Sequence, residues 1–382
     1  MVPLARRAAT GEPNRLADLR AELAAAGRTV VDLTDANPTR HGLLDPAVLD
    51  AVAAAVSGAA TYDPHPRGPL VARQALSAAR GGDADDYWLT ASTSEAYSWL
   101  LTLLADPGDL VAVPAPGYPL VEPLARLAGV GTVAYPVHYL HPYGWTTDTD
   151  ALTRVVEDPQ VKALVVVNPG NPTGAYLEPE QAQLVVEVCA ATGTALVVDE
   201  VFGPYVLDGA AHTLAGSEGC PTFALDGLSK LLCAPQLKLG WIRASGPVGW
   251  AVRRALDDVA DAFLSVNTPV ALALPRLLDL TPASVACTRT RLVGNLAVAR
   301  RVLDSPYRVR RTDGGWTVLV DVPRHRDDDA LAEALLRAGV WAHPGWLYDL
   351  GSPGTFALSL LPAPDRFEAG CRALRLAVDA LA

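Results

Sequence analysis

The chain has 382 residues, half of them hydrophobic, and a formal net charge of -11. That length suits two domains with a sizeable core, and the acidic balance argues against a nucleic-acid surface. The five cysteines, Cys189, Cys220, Cys233, Cys287 and Cys371, are scattered and odd in number. No disulfide framework, metal site or redox pair is therefore expected, and a reducing, cytoplasmic setting is.

Residues 1–20 lack an apolar core of signal-peptide length, and no stretch reads as a membrane span. Residues 14–27 read as a polar helix, 30–33 as a short strand, 34–44 as a loop and 46–57 as a helix. The prolines and glycine of Tyr62-Asp63-Pro64-His65-Pro66-Arg67-Gly68-Pro69 force an extended, turning segment before a helix at 70–80. Seven short apolar runs then read as strands, at 87–90, 110–113, 131–135, 162–167, 194–199, 222–226 and 239–243. Helices at 95–104, 120–127, 148–156 and 178–191 interleave with them. Buried strands alternating with helices predict an α/β fold, with a mostly parallel seven-stranded sheet between helices. Helical stretches follow at 246–264, 268–278 and 283–303. The closing part, with strands near 307–311, 316–321, 340–343 and 355–360 and helices at 328–338 and 364–381, reads as a smaller α+β domain. The expected division is a large domain over 45–285 and a small domain built from 1–44 and 286–382.

Two residues 31 positions apart stand out. Asp199 closes the apolar run Thr194-Ala195-Leu196-Val197-Val198-Asp199, and Lys230 ends Gly227-Leu228-Ser229-Lys230. Upstream lies Asn168-Pro169-Gly170-Asn171-Pro172-Thr173-Gly174. A carboxylate at a buried strand end, a lysine on a small-residue loop and an Asn-Pro turn suit one cofactor, pyridoxal phosphate (PLP). The lysine can hold it as a Schiff base, and the carboxylate can keep its ring nitrogen protonated. Ser92, Thr93 and Ser94 open a helix, where free N–H groups and the helix dipole favour a phosphate; a simple serine cap is the plainer role of Ser92.

Taken in order along nearly the whole chain, these motifs resemble the class I/II aminotransferase family of fold-type-I PLP enzymes. The resemblance implies Lys230 as the Schiff-base lysine, Asp199 as partner of the pyridine nitrogen and Asn171 as donor to the ring's 3′ oxygen. It implies Tyr118, in Pro116-Gly117-Tyr118-Pro119, as the aromatic ring stacked on the cofactor. Ser92, Thr93, Ser94, Ser229 and Lys238 fall at phosphate-binding positions. Tyr62 matches a tyrosine that reaches the phosphate from a neighbouring subunit, which implies a homodimer. The implied reaction is ping-pong transfer of an amino group between an amino acid and a 2-oxo acid.

The chain departs from the family pattern in several places. Lys238 replaces the usual phosphate-binding arginine, keeping charge but losing the bidentate fork. Gly227 stands where a serine is frequent, and Ser92 where glycine is usual. Phe202 replaces the tyrosine three residues after the strand-end aspartate, with Tyr205 a candidate to compensate. Ala357, in Thr355-Phe356-Ala357-Leu358-Ser359, takes the place of the arginine that grips the substrate carboxylate. Another cation must then serve, with Arg40 first and Arg67 second, or the substrate is unusual. The loop holding Ala36 and Arg40 touches substrate in the family. Trp316 and the stretch His343 to Tyr348 are expected to line the substrate mouth. These departures also leave a PLP-dependent lyase or decarboxylase as the alternative reaction.

Overall fold

The structure, a computed structural model, describes residue 2 and residues 5–8, 14–264, 266–323 and 327–381. Residues 1, 3, 4 and 9–13 of the N-terminal stretch read above lie outside them. Strand β1 (Val31–Asp32) lies apart from the main sheet. Eight strands build that sheet: β2 (Tyr87–Thr90), β3 (Leu110–Ala115), β4 (Gly131–Leu140), β5 (Gly144–Thr147), β6 (Val161–Val167), β7 (Ala195–Asp199), β8 (Thr222–Gly227) and β9 (Gly240–Ser245). Their order is β2-β9-β8-β7-β6-β3-β4-β5. The central pairs from β8 to β4 are parallel, while β9 runs antiparallel to both β2 and β8.

Continuous apolar runs make the central strands. All five residues of β7 are buried, as are five of seven in β6. Such strands are stable only with helices on both faces. One face packs on helices Thr93–Leu104, Val121–Ala128 and Trp250–Phe263. The other packs on Thr149–Val156 and Pro179–Thr192. The seven expected strands are present, and β5 adds an eighth through a hairpin with β4. The alternating pattern of β4 is broken by Pro136, which hid its continuation to Leu140.

Helix Thr268–Val302 is a single 35-residue element, where two helices were expected. Pro275 and Pro282 suggested a break, but both are carried inside it. It is also long and apolar enough to cross a membrane by length and composition, which the sequence reading did not anticipate. Its apolar residues pack within the protein instead. Val270, Leu274 and Leu277 enter a core with helices Pro46–Ala55 and Leu70–Arg80. Leu292, Leu296 and Ala299 enter a second core with Leu16, Leu33, Val318, Phe356 and Leu374.

That second core belongs to the terminal sheet of β10 (Arg308–Val309), β11 (Thr317–Asp321), β13 (His343–Pro344) and β14 (Thr355–Ser359), in the order β10-β11-β14-β13. Between them in sequence, β12 (Val340–Trp341) pairs in parallel with β1. The N-terminal segment is thereby tied to the C-terminal third of the chain.

Candidate active site

Strands β2, β3, β6, β7 and β8 share one direction, so their carboxyl ends lie along one edge of the sheet. Five of the motifs singled out above follow one of those ends. Ser92 to Ser94 follow β2, Tyr118 follows β3, Asn171 follows β6, Asp199 ends β7 and Lys230 follows β8. Lys238 lies on the same edge, just before the start of β9. Ligands of open α/β sheets bind at this edge, because the strands end there and helix N-termini point at it.

Asp199 is 7% exposed. One oxygen accepts from the Tyr97 hydroxyl at 3.1 Å and the other from the Val201 N–H at 3.2 Å. Burial outweighs these donors and raises its pKa from 3.8 to about 6. The hydroxyl of Tyr97 is fully enclosed, and its own pKa is pushed well up, by burial first and Asp199 second. Tyr97 went unnoticed in the sequence. It sits one turn into helix Thr93–Leu104, and only folding brings it to the end of β7.

Lys230 lies in the short helix Leu228–Leu231. Burial lowers its pKa, and the negative field of Asp199 opposes that shift only in part. The Nζ atom sits 4.9 Å from the centre of the Trp316 ring and 5.3 Å from that of Phe202. Among the described residues no ion pair joins Lys230 to Asp199, although each senses the other's charge. Trp316 is 2% exposed and packs edge-on against Phe202 and Tyr205, so it forms the floor beside the amine rather than an open mouth.

Tyr205 does not compensate for Phe202. Its hydroxyl donates to the Lys230 carbonyl at 2.6 Å and thereby fixes the backbone that carries the amine.

Ser92 caps helix Thr93–Leu104: its Oγ accepts from the Glu95 N–H at 3.1 Å, and Glu95 in turn accepts from the Ala91 N–H at 2.6 Å. The cap leaves the N–H groups of Thr93 and Ser94, the first two of the helix, without intrahelical partners. Gly227 and Gly240 face each other across β8 and β9. A Cβ on Gly227 would come within 2.9 Å of the Gly240 Cα, and one on Gly240 within 3.0 Å of the Asp226 carbonyl. The frequent serine is excluded at position 227 by this contact. Lys238 is exposed and holds a left-handed conformation with φ of 53°.

Asn168 and Asn171 divide the labour of their loop. Asn168 is structural: its amide donates to the His212 carbonyl at 2.6 Å and accepts from the Leu177 N–H at 3.1 Å. Asn171 keeps a buried Oδ1 with no partner in the structure. Tyr118 is 53% exposed at the rim, and the preceding Gly117 N–H donates to the Tyr348 carbonyl at 3.0 Å. Tyr62 is 67% exposed and points away from its own chain's core.

The two arginines proposed for the substrate carboxylate differ. Arg67 is committed: it donates to both oxygens of Asp257 at 2.6 and 2.8 Å and stacks on Trp88. Arg40, with a side chain 71% exposed, makes one long pair to Asp35 at 3.5 Å. Its loop is fixed near β14, because the Ser359 hydroxyl donates to the Asp35 carbonyl at 2.9 Å. Ala36 is exposed on that loop.

The match to the family described as aminotransferase class I and II spans residues 29–369, nearly the whole chain. Alanine aminotransferase of Mycobacterium tuberculosis is 31% identical over 318 residues, covering 79% of this chain and 69% of that protein. Tyrosine aminotransferase of Caenorhabditis elegans is 27% identical over 328 residues, covering 81% and 69%. The solved alanine aminotransferase of Pyrococcus furiosus superposes with a TM-score of 0.89 at 22% identity, over 99% of this chain and 100% of that one. That last likeness concerns the fold; the matches in sequence concern the reaction and do not favour the lyase alternative. With the motifs on one sheet edge and a family match along the chain, this protein belongs to the class I and II aminotransferases, enzymes that use PLP to move amino groups between amino acids and 2-oxo acids.

Proposed function

We propose that Lys230 carries PLP in this chain and that Asp199 holds the proton of its ring nitrogen. The observation that carries this reading is a half-buried lysine amine beside the Trp316 and Phe202 rings and a buried carboxylate on one sheet edge, not joined by an ion pair among the described residues. Three further features fit the same group. The orphaned Asn171 Oδ1 marks an amide whose hydrogen-bonding partner is not protein; the other amide orientation would present its NH2 to a ring oxygen. The opening N–H groups of helix Thr93–Leu104, with the Thr93, Ser94 and Ser229 hydroxyls, suit a phosphate. Lys238 supplies charge at the same edge.

When bound, PLP supplies an electrophilic carbon for the substrate nitrogen and a ring that draws electrons from the α-carbon. The residues supply the rest. Burial favours the neutral form of the Lys230 amine, which can then take a proton and return it. Above about pH 6 Asp199 is an anion held by Tyr97 and Val201, placed to keep a cationic partner protonated. Trp316 and Phe202 exclude water around the amine. The amino acid leaves its nitrogen and departs as a 2-oxo acid before a second oxo acid enters.

We also read residues 45–285 as the cofactor-binding domain and 1–44 with 286–382 as the smaller one, supported by the core that joins Leu16 and Leu33 to Leu374. A homodimer is supported by the exposed apolar residues Leu49, Val56, Leu70 and Val71, which flank Tyr62 in the sequence; Tyr62 would reach the partner's phosphate site. Five free cysteines fit a cytoplasmic location.

The test is borohydride reduction of protein reconstituted with PLP, followed by peptide mapping. The label is expected on the Lys230 peptide, and Lys230→Ala should lose both the label and turnover. A label on any other lysine would refute the assignment.

A further inference from the structure

Tyr97 carries a hydroxyl where packing asks for none. It is 2% exposed, one turn into helix Thr93–Leu104, and joins an apolar core with Leu100, Val113, Val165 and Val197. Phenylalanine or leucine would fill that space without burying a polar atom. Among the described residues its hydroxyl has one hydrogen-bond partner, the Asp199 carboxylate at 3.1 Å. Tyr135 offers a contrast: its buried hydroxyl donates to the Val165 carbonyl at 2.8 Å, a bond within the sheet. The Val201 N–H holds the second Asp199 oxygen at 3.2 Å, so the carboxylate is gripped both from the helix and from its own turn. The same helix leaves the Thr93 and Ser94 N–H groups open at its start. Tyr97 lies four residues beyond Thr93, about 6 Å further along the axis. One rigid element thereby offers donors to an anion at its start and braces Asp199 one turn later.

Among the described residues no other side chain donates to Asp199, and the charged groups around it are engaged elsewhere. Lys230 faces the Trp316 and Phe202 rings. Glu200 accepts from the Leu214 N–H at 2.8 Å and from the Thr213 hydroxyl at 2.5 Å. Asp226 accepts from the Gly227 N–H at 2.7 Å and pairs with Arg80 at 3.4 Å. Burial pushes the Asp199 carboxyl up to about 6, while the Val201 N–H, the Tyr97 hydroxyl and the Lys230 charge pull the other way. Tyr97 keeps its own proton, because burial first and the Asp199 charge second raise its pKa well above the ordinary value. It is therefore a donor at every working pH, and a donor stabilises the ionised carboxylate over the neutral one.

We propose, granted that Asp199 serves the ring nitrogen of PLP, that Tyr97 is a positioning residue of the reaction. Its hydroxyl fixes the carboxylate and favours its anion, so the proton shared with the ring nitrogen rests on the nitrogen and not on Asp199. A ring that keeps this proton draws electrons more strongly from the α-carbon. Enclosed in the core, Tyr97 acts through Asp199 rather than on the amino acid. Its loss should therefore slow the chemical step and leave substrate binding alone.

The experiment compares holoenzyme with its Tyr97→Phe variant, which loses only the hydroxyl. Half-reactions with L-alanine and with L-glutamate are read from cofactor absorbance. The limiting rate should fall about tenfold, with the half-saturating concentration unchanged. An unchanged rate, or a loss confined to the half-saturating concentration, would overturn the proposal. A second readout needs neither cofactor nor substrate. In the fold Asp199 is neutral at pH 4 and an anion at pH 8, and only the anion depends on the donor. In urea unfolding of the apo-protein, Tyr97→Phe should therefore raise the unfolding constant about three- to tenfold more at pH 8 than at pH 4. In an Asp199→Asn background that difference should vanish. A cost equal at the two pH values, or the same difference in both backgrounds, would mean that Tyr97 only packs, and the proposal would fall. If borohydride reduction fails to label Lys230, the cofactor reading has failed instead. The unfolding comparison then still decides whether Tyr97 sets the charge of Asp199.

Discussion

The two halves of this site obey different rules. Along the carboxyl edge of the large sheet, Ser92, Asn171, Asp199 and Lys230 each end or follow a strand of their own. Asp199 is enclosed yet has two donors, and Asn171 and the amine of Lys230 are left for something other than protein. Across from it, on β14, the position that should hold a cation is a methyl group among leucines. The difference separates two kinds of constraint. Drawing electrons from a carbon next to nitrogen is common to every substrate, so its residues tolerate little change. Holding the rest of the substrate is a matter of binding and is free to vary on one fold.

The sharpest break of this contrast is Asp199→Asn, which should act in opposite directions on chemistry and on stability. Turnover should fall by about 10²–10⁴-fold, because a neutral amide cannot keep a ring nitrogen protonated. The cofactor-free protein should become more stable at pH 7. The pKa of Asp199 rises from 3.8, the ordinary value of the unfolded chain, to about 6 in the fold, so its ionisation opposes folding. That cost is absent below about pH 4, grows between pH 4 and 6 and is complete above it. The gain from the amide is therefore up to about 3 kcal/mol at neutral pH and vanishes in acid. Urea unfolding of both apo-proteins at pH 4 and pH 7 checks this. A variant less stable at pH 7 would mean that Tyr97 and Val201 outweigh burial.

Gly227→Ser asks whether the cofactor half is as rigid as it looks. The added Cβ meets the Gly240 Cα at 2.9 Å and the Leu239 carbonyl at 3.0 Å, both backbone atoms. Restoring the family's serine should therefore cost roughly 1–3 kcal/mol in urea unfolding and lower the cofactor content per chain. Tighter cofactor binding with unchanged stability would show that the two strands can part.

Much of the cofactor half was legible in sequence because its residues sit at strand ends, inside short motifs whose chemistry demands particular side chains. Asp199, Asn171 and Lys230 can each be read from a few neighbours. Residues brought in from elsewhere were hidden. Tyr97 reaches Asp199 from a helix begun about a hundred positions earlier in the chain. Tyr205 looked like a spare hydroxyl, and only the fold commits it to the Lys230 carbonyl. Trp316 read as a rim residue because a tryptophan after two glycines has no sign of depth in its sequence; the packing of Phe202 and Tyr205 puts it on the floor. The absence of arginine at 357 was plain, but what fills its place depended on Leu319, Tyr348 and Trp145, which lie far apart along the chain. The prolines of helix Thr268–Val302 misled because local breakers were overridden by apolar packing at both ends.

Phe202→Tyr is the smallest test and lies on the border between the halves. Phe202 packs edge-on against Trp316 with ring centres 5.4 Å apart, and its ring centre is 5.3 Å from the Lys230 Nζ. The new hydroxyl would enter a pocket where the Trp316 Nε1 has no partner, so it can accept there and donate toward the cofactor. A hydrogen bond donated to the ring's 3′ oxygen makes that oxygen a poorer partner for the proton shared with the lysine nitrogen. The pH at which bound-cofactor absorbance changes should then move down by about one unit. Preference among amino acids should stay as it was, because the apolar cluster around Ala357 is untouched. An unchanged titration would mean that the hydroxyl points at Trp316 alone. A changed preference would mean that the two halves are coupled through Trp316 rather than separate.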